Sequence, residues 1–246
     1  NSHTFTVSVN NKSINCGTGI HDSTASMVPF LTGSSEKFIL LSSGTWCINM
    51  NPFNNTPLTE AQIENDCLAY INTCGEPVKS SRIFSGFIRE INNAMLADYF
   101  SVDEDRFKTV RINRDYITRF LTSSEKIFFS NGIPDDYCDN SVDLSVFSGY
   151  EEAYHRLLFD LCLMNKDAID RILSPNDDIK NIYITGGFAG NEIFVRLLAT
   201  LYPEKRIFTA DMEHATSLGA ALVLKNSIQP PSNSCHYIKM KEWPEF

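Results

Sequence analysis

The segment Ile182-Tyr183-Ile184-Thr185-Gly186-Gly187-Phe188-Ala189-Gly190-Asn191-Glu192 constrains the fold of this chain most tightly. A short apolar run enters a turn with three glycines and leaves as an amphipathic pattern from Asn191 to Tyr202, with Asn191 placed as its cap. Strand, glycine turn and helix form the repeating step of an α/β layer. Without Cβ atoms at Gly186, Gly187 and Gly190, the backbone can pass close to a flat ring or a phosphate beside a helix N-terminus. The same glycines also suit plain close packing, and the segment alone leaves both readings open. Its spacing is not the G-x-G-x-x-G dinucleotide fingerprint, and no G-x-x-x-x-G-K-S/T occurs in the chain.

The surrounding pattern extends the alternation. Phe38 to Leu41 and Cys47 to Met50 predict two strands around the tight turn Ser42-Ser43-Gly44-Thr45-Trp46. Thr59-Glu60-Ala61-Gln62 has capping-box spacing and predicts a helix to about Cys74, stopped by Gly75 and Pro77. A third strand is expected over Arg82 to Ser85. A helix is expected over Phe87 to Phe100, where Ile88, Ile91, Met95 and Tyr99 recur at helical spacing. Residues 101–148 carry the weakest pattern, with a helix near Tyr116 to Leu121 and a polar, Asp-rich loop from Asn131 to Asp143. Tyr150 to Leu173 predicts a long amphipathic helix. Strands follow at Asn181 to Thr185 and Arg206 to Thr209, and a last helix at Ala215 to Lys225. The order is that of the α/β class. One domain is expected over residues 1–228, with an irregular tail over 229–246 that contains Pro230, Pro231 and Pro244.

Composition narrows the partners. The 246 residues are ample for one large core, and 43% hydrophobic against 21% charged residues places the chain in the ordinary globular class. A formal net charge of −9 argues against nucleic acid, whose phosphates demand clustered Lys and Arg. An anionic ligand must then be held locally, by backbone N–H groups, a helix N-terminus or a metal ion. No apolar run approaches the roughly 18–20 residues of a membrane span. Asn1-Ser2-His3-Thr4-Phe5 lacks a signal-peptide pattern, so a cytoplasmic setting without membrane contact is expected. The seven cysteines, including Cys235, show neither C-x-x-C nor Cys/His pairing and read as free thiols in a reducing compartment.

Three further segments could carry chemistry. In Gly17-Thr18-Gly19-Ile20-His21-Asp22-Ser23-Thr24 a glycine turn delivers His21-Asp22 to a helical stretch, so Asp22 is either an N-cap or a general base fixed at a cleft. Ser43, Gly44 and Thr45 could offer N–H and O–H donors to a phosphate, or could form an ordinary β-turn. Glu213 to Ala221 carries Gly219, Ala220 and Ala221, small residues that would let a helix pack closely on the sheet.

Together these segments resemble the C-terminal half of the FGGY carbohydrate kinases over about residues 5–225. Gly19-Ile20-His21-Asp22 is similar to the family's G-x-x-D segment, Ser43-Gly44-Thr45-Trp46 to its phosphate turn, and Gly186 to Asn191 to its adenosine loop. Glu213 to Ala221 is similar to its closing helix. The resemblance implies an RNase H-like (actin-like ATPase) fold, ATP and Mg²⁺ as cofactors, and a sugar as substrate. It further implies Asp22 as catalytic base, His21 as a sugar contact, and Ser43, Gly44, Thr45, Gly186, Gly187, Gly190 and Asn191 around the nucleotide. His21-Asp22 with Ser43-Gly44-Thr45-Trp46 looks closest to the rhamnulokinase and fuculokinase branch, whose substrates are 6-deoxy ketoses. The family's first domain opens with a D-x-G-T phosphate loop, and none occurs here, because Gly44-Thr45 follows Ser42-Ser43 and Gly17-Thr18 follows Asn15-Cys16. The resemblance therefore implies that an N-terminal domain is missing and that this chain alone is inactive; a homodimer is a family analogy. The rival readings are another actin-like ATPase and a non-catalytic nucleotide-binding module.

Overall fold

A computed structural model describes residues 4–122, 126–175, 177–212, 214–228 and 238–245. The chain opens with a hairpin, β1 (Thr4–Val9) and β2 (Lys12–Gly17), followed by α1 (Asp22–Gly33). Next come β3 (Phe38–Ser43), β4 (Cys47–Asn51), α2 (Glu60–Glu64), β5 (Cys67–Ile71), β6 (Pro77–Ile83) and α3 (Ser85–Tyr99). The remainder is α4 (Arg114–Thr122), α5 (Tyr150–Asp170), β7 (Asn181–Gly186), α6 (Glu192–Leu201), β8 (Arg206–Ala210), α7 (Ala215–Ile228) and β9 (Met240–Trp243).

Seven strands form one mixed sheet in the order β5-β6-β4-β3-β7-β8-β9, and β1-β2 stand apart as a two-stranded sheet. The pairs β5-β6, β6-β4 and β4-β3 are antiparallel, and β3-β7 and β7-β8 are parallel. This is the mixed α/β layer that the sequence predicts. Alternation along β3 sends Phe38 and Leu40 to one face and Ile39 and Leu41 to the other. On the first face, Met27 and Phe30 of α1 pack over Phe38, Leu40, Met50, Val78 and Tyr183. The second face holds the larger core, where α3, α5 and α6 cover Ile39, Leu41, Ile182, Ile184 and Ile207. Each of those five strand residues is 0% exposed, and such burial is worth about 1.5–3 kcal/mol per side chain.

Several expectations are corrected. The capping box at Thr59 and Gln62 forms, but the helix ends at Glu64 rather than Cys74. Asp66 turns the chain at φ 57°, and Cys67–Ile71 pairs with β6 as an edge strand. Gly75, at φ 85°, closes that hairpin instead of stopping a helix, with Asn72 Oδ1 accepting from the N–H groups of Cys74 and Glu76. The third strand runs from Pro77 to Ile83, and Ser85 already belongs to α3. Within the stretch read as an irregular tail, Met240–Trp243 adds antiparallel to β8 and extends the sheet. Residues 229–237, including Cys235, lie outside the described residues, as do Asn1 to His3 and Glu213.

The weakly patterned middle is held by buried carboxylates. Asp160 of α5 accepts from the N–H groups of Ile127 and Phe128 and pairs with Arg156, all but sealed from solvent. Asp139, 3% exposed, accepts from Phe129 N and Ser141 N and pins the polar loop between them.

Candidate functional site: the carboxyl ends of β3 and β7

Ser43 ends β3 and Gly186 ends β7, and the two are paired in register. Gly186 has φ 81°, and a Cβ there would lie 1.8 Å from the Ser43 carbonyl oxygen, so only glycine permits this approach. The Ser43 hydroxyl donates to the Thr185 carbonyl and accepts from Phe188 N–H at 2.9 Å. Ser43 is therefore 4% exposed and works as a clamp on the glycine loop. Its side chain faces the loop interior, leaving Gly44 and Thr45 as the exposed part of the turn.

The turn is held from its other side as well. Gly44 N–H donates to Trp46 O at 2.8 Å, and Thr45 O accepts from Phe87 N–H at 3.2 Å. Gly86 sits in the first turn of α3, where a Cβ would fall 2.0 Å from Gly44 O. Next to the turn, Cys47 is fully buried, and burial pushes its thiol up to about 12 against the opposing pull of Ser85 and Arg89. It is a neutral packing group.

Beyond Gly186 the chain makes one 3-10 turn, Gly187–Gly190, and enters α6. Asn191 caps α6 as expected: Oδ1 accepts from Phe194 N–H at 3.1 Å, while Nδ2 donates to the Tyr154 hydroxyl at 3.0 Å. Burial raises the Tyr154 pKa, so that hydroxyl stays protonated. Phe188 anchors the loop inward, stacked on Phe194 at 4.1 Å, with the Arg89 guanidinium 5.1 Å from its ring.

The loop is a thin wall between two cavities. One, of about 360 Å³, is bounded by Gly186, Gly187, Ala189, Gly190 and the stretch Thr209 to Met212. The other, of about 380 Å³, is bounded by Arg89, Phe107, Arg111, Ile112, Gly187 and Asn191. Gly187 and Gly190 face both. Backbone N–H groups and a helix N-terminus beside such hollows suit an anionic ligand with a flat ring. Arg89, Gly86 and Tyr154 escaped the sequence reading. Gly86 alone carried a signal, as a glycine at a strand-to-helix junction.

His21 and Asp22 stand elsewhere. Asp22 is not the N-cap: His21 occupies that position, with Nδ1 accepting from Ser23 N–H at 3.3 Å. Asp22 Oδ1 accepts from the same N–H at 2.7 Å and lies 3.1 Å from His21 Nδ1. Both side chains are open to solvent, 56% and 77% exposed. The His21 ring packs 4.8 Å from that of Tyr70 on β5, which is four strand spacings, roughly 19 Å, from β7. Among the described residues no hydrogen bond or ring contact joins His21 or Asp22 to the glycine loop. The small residues of α7 also act differently from expectation. A Cβ on Gly219 would lie 1.7 Å from Ala25 O, so Gly219 brings α7 onto α1 rather than onto the sheet.

Comparison with known proteins identifies this architecture. The model of the carbohydrate kinase FGGY C-terminal domain matches residues 35–120 and 147–232, more than half of the chain. The chain belongs to this family. Its fold, a mixed sheet flanked by helices, is that of an actin-like ATPase domain. The match takes in the Ser43 turn and the Gly186 loop and begins after His21 and Asp22. A carbohydrate kinase from Novosphingobium aromaticivorans is 22% identical with a TM-score of 0.62, over 94% of this chain and 49% of its own. A ligand-bound xylulose kinase from Lactobacillus acidophilus is 12% identical with a TM-score of 0.66, over 97% and 48%. A Plasmodium falciparum glycerol kinase with ADP is 12% identical with a TM-score of 0.57, over 89% and 44%. This chain thus spans about half the length of the structures it matches. No curated protein sequence matches it. Among the described residues no helix is long and apolar enough to cross a membrane.

Proposed function

We propose that this chain is the nucleotide-binding half of a kinase that transfers a phosphoryl group from ATP to a sugar hydroxyl. The observation that carries the reading is the Ser43–Gly186 contact, which sets a glycine turn and a glycine loop side by side at one end of the sheet. Adenosine lies against Gly186, Gly187, Gly190 and Asn191, and the phosphates point towards Gly44 and Thr45. Ser43 acts through the loop it clamps. Asp22, exposed and adjacent to His21, accepts the proton of the attacking sugar hydroxyl, with His21 contacting the sugar. The gap between Asp22 and the glycine loop is taken up by the triphosphate and the sugar beyond it. Transfer of this kind depends on positioning and charge neutralisation more than on covalent help from the protein.

The acceptor is a ketose, in the 6-deoxy class of rhamnulose or fuculose. The His21-Asp22 and Ser43-Gly44-Thr45-Trp46 motifs support that choice, and one structural neighbour is a xylulose kinase. ATP as donor is supported by the ADP in the glycerol kinase neighbour. The family also implies Mg²⁺. Among the described residues no three His, Cys, Asp or Glu side chains stand together as a metal set, so the ion would be held mainly by the nucleotide phosphates. The sugar-facing half of the cleft belongs to an N-terminal domain outside this chain, without which turnover is not expected.

The test is Asp22→Asn in the complete kinase, assayed against a panel of ketoses. Turnover falls by at least about 10³-fold while nucleotide affinity stays within about twofold. Activity close to that of the unsubstituted enzyme would remove Asp22 from the role of base.

A further inference from the structure

Residues 110–113 form one wall of the second cavity, and a histidine that the proposed chemistry leaves unused ties them to α5. Val110, Arg111 and Ile112 line that cavity, and Asn113 precedes α4 with Oδ1 accepting from Asp115 N–H at 3.0 Å. Among the described residues no backbone–backbone hydrogen bond links Arg111 or Ile112 to another segment. The Asn113 N–H instead donates to Nε2 of His155 at 3.0 Å. His155 is 0% exposed, and its Nδ1 lies 2.6 Å from the Glu151 carbonyl oxygen, four residues back along the helix. A carbonyl only accepts, so Nδ1 carries the proton and Nε2 offers the lone pair that a backbone N–H needs. The two contacts fix one tautomer, and only the neutral ring satisfies both.

We propose that this contact is a pH-sensitive latch: a proton taken up at Nε2 removes the acceptor, and the wall of residues 110–113 separates from α5. The imidazolium donates from both nitrogens, so Asn113 N–H then faces a donor instead of a lone pair. The charged groups on the packed elements do not offset the change. On α5, Glu151 pairs with Arg106 of the turn Glu104–Thr109 at 2.6 Å, Glu152 pairs with Arg119 of α4, and Arg156 pairs with Asp160. The Tyr116 ring of α4 stands 5.4 Å from the imidazole, with the Arg119 guanidinium 5.5 Å from that ring. Arg111, Arg114 and Asp115 flank Asn113. The carboxylates on α5 are therefore engaged already, and burial pushes the His155 pKa below its ordinary value against the pull of Glu151. The closed wall is fully stable above the ordinary imidazole range. As pH falls through about 6.5 the open form takes up the proton first, and the latch weakens by up to about tenfold per pH unit. Because the same cavity is lined by Gly187 and Asn191, each opening uncovers one side of the glycine loop.

Amide hydrogen exchange of this chain, expressed as protection factors, tests the latch. The readout uses neither ligand nor turnover, so its failure is separable from failure of the kinase reading. From about pH 7.5 to about pH 5.5 the protection of Asn113 N–H falls by about tenfold, while that of the β3 and β7 amides stays within about twofold. His155→Gln keeps an acceptor oxygen in place of Nε2 but takes up no proton, and its Asn113 protection stays flat over the same range. A flat profile in the unsubstituted chain overturns the proposal, and so does an equal fall in the variant. Nitrogen NMR shifts of the His155 ring give a reading that needs no variant. The latch requires the Nδ1–H tautomer at the upper end of that range, and an Nε2–H tautomer there overturns it.

Discussion

The two regions that supply the candidate site are built in opposite ways. At the ends of β3 and β7, glycines bring backbone onto backbone, and a nearly buried serine closes the gap between strand and loop. At the start of α1, the base candidate is open to solvent and holds only its own neighbours, His21 and Ser23. The first region is finished within this chain, and its geometry is set before any ligand arrives. The second has an exposed carboxylate at the start of α1, whose contacts among the described residues are with His21 and Ser23. A transfer reaction needs both reactants placed to within a fraction of an ångström. Under the proposed function, the first region would be a preorganised donor side and the second an unfinished acceptor side, and the chain spans about half the length of related structures.

The largest effect is expected at the centre of the finished region. Gly186→Ala drives a Cβ to 1.8 Å from the Ser43 carbonyl at a φ of 81°, and neither backbone can give way alone. A loss of about 3 kcal/mol or more in urea unfolding is expected, together with loss of nucleotide binding in a calorimetric titration. Gly190→Ala is the control in the same loop. Nothing lies within 4 Å of its Cβ position, so stability should stay within about 1 kcal/mol. Equal unfolding of the two variants would show that loop composition, rather than close strand contact, builds the proposed nucleotide side.

The finished region was also the legible one. Gly44 and Gly186 to Gly190 stand between clear apolar runs, and the packing that needs them joins chain segments with strong periodicity of their own. The Thr59–Gln62 capping box was legible as a helix start, but no local signal records where that helix ends. Cys67–Ile71 becomes a strand because β6 offers it a ladder. Met240–Trp243 is likewise made a strand by β8, and two of its four side chains are charged, which hides any apolar face. The loops over residues 126–143 follow Asp139 and Asp160, which hold them largely through the backbone N–H groups of Ile127, Phe128 and Phe129 that no side-chain pattern encodes. Asp22 was legible as a candidate, yet its place over β5 depends on the packing of α1 against α7, which periodicity does not reveal.

An intermediate effect is expected at Ser43. Replacing it by alanine leaves Phe188 N–H without its 2.9 Å acceptor inside a buried site and removes the bond to Thr185 O. The cost is about 1–3 kcal/mol in stability, with weaker nucleotide binding because the loop loses its clamp. Thr45→Ala, on the exposed part of the same turn, should leave stability within about 0.5 kcal/mol and weaken nucleotide binding alone. The pair separates a residue that shapes the cradle from one that faces its contents. A similar stability loss in both would mean that the turn unfolds as a unit.

The smallest effect on the chain itself is expected at Asp22, where the largest effect on turnover was placed. Asparagine keeps an acceptor oxygen where Asp22 Oδ1 now meets Ser23 N–H at 2.7 Å, so the first turn of α1 keeps that bond. What is lost is a negative charge near a helix N-terminus, at a side chain that is 77% exposed and screened by water. The melting temperature of the 246-residue chain should move by less than about 2 °C, and its nucleotide affinity by less than about twofold. Those two null results, beside lost turnover in the complete kinase, would place Asp22 outside the structural economy of this half and inside its chemistry. A large drop in melting temperature would instead tie the His21–Asp22 step to the fold of α1, and the contrast between the two regions would fail at that point.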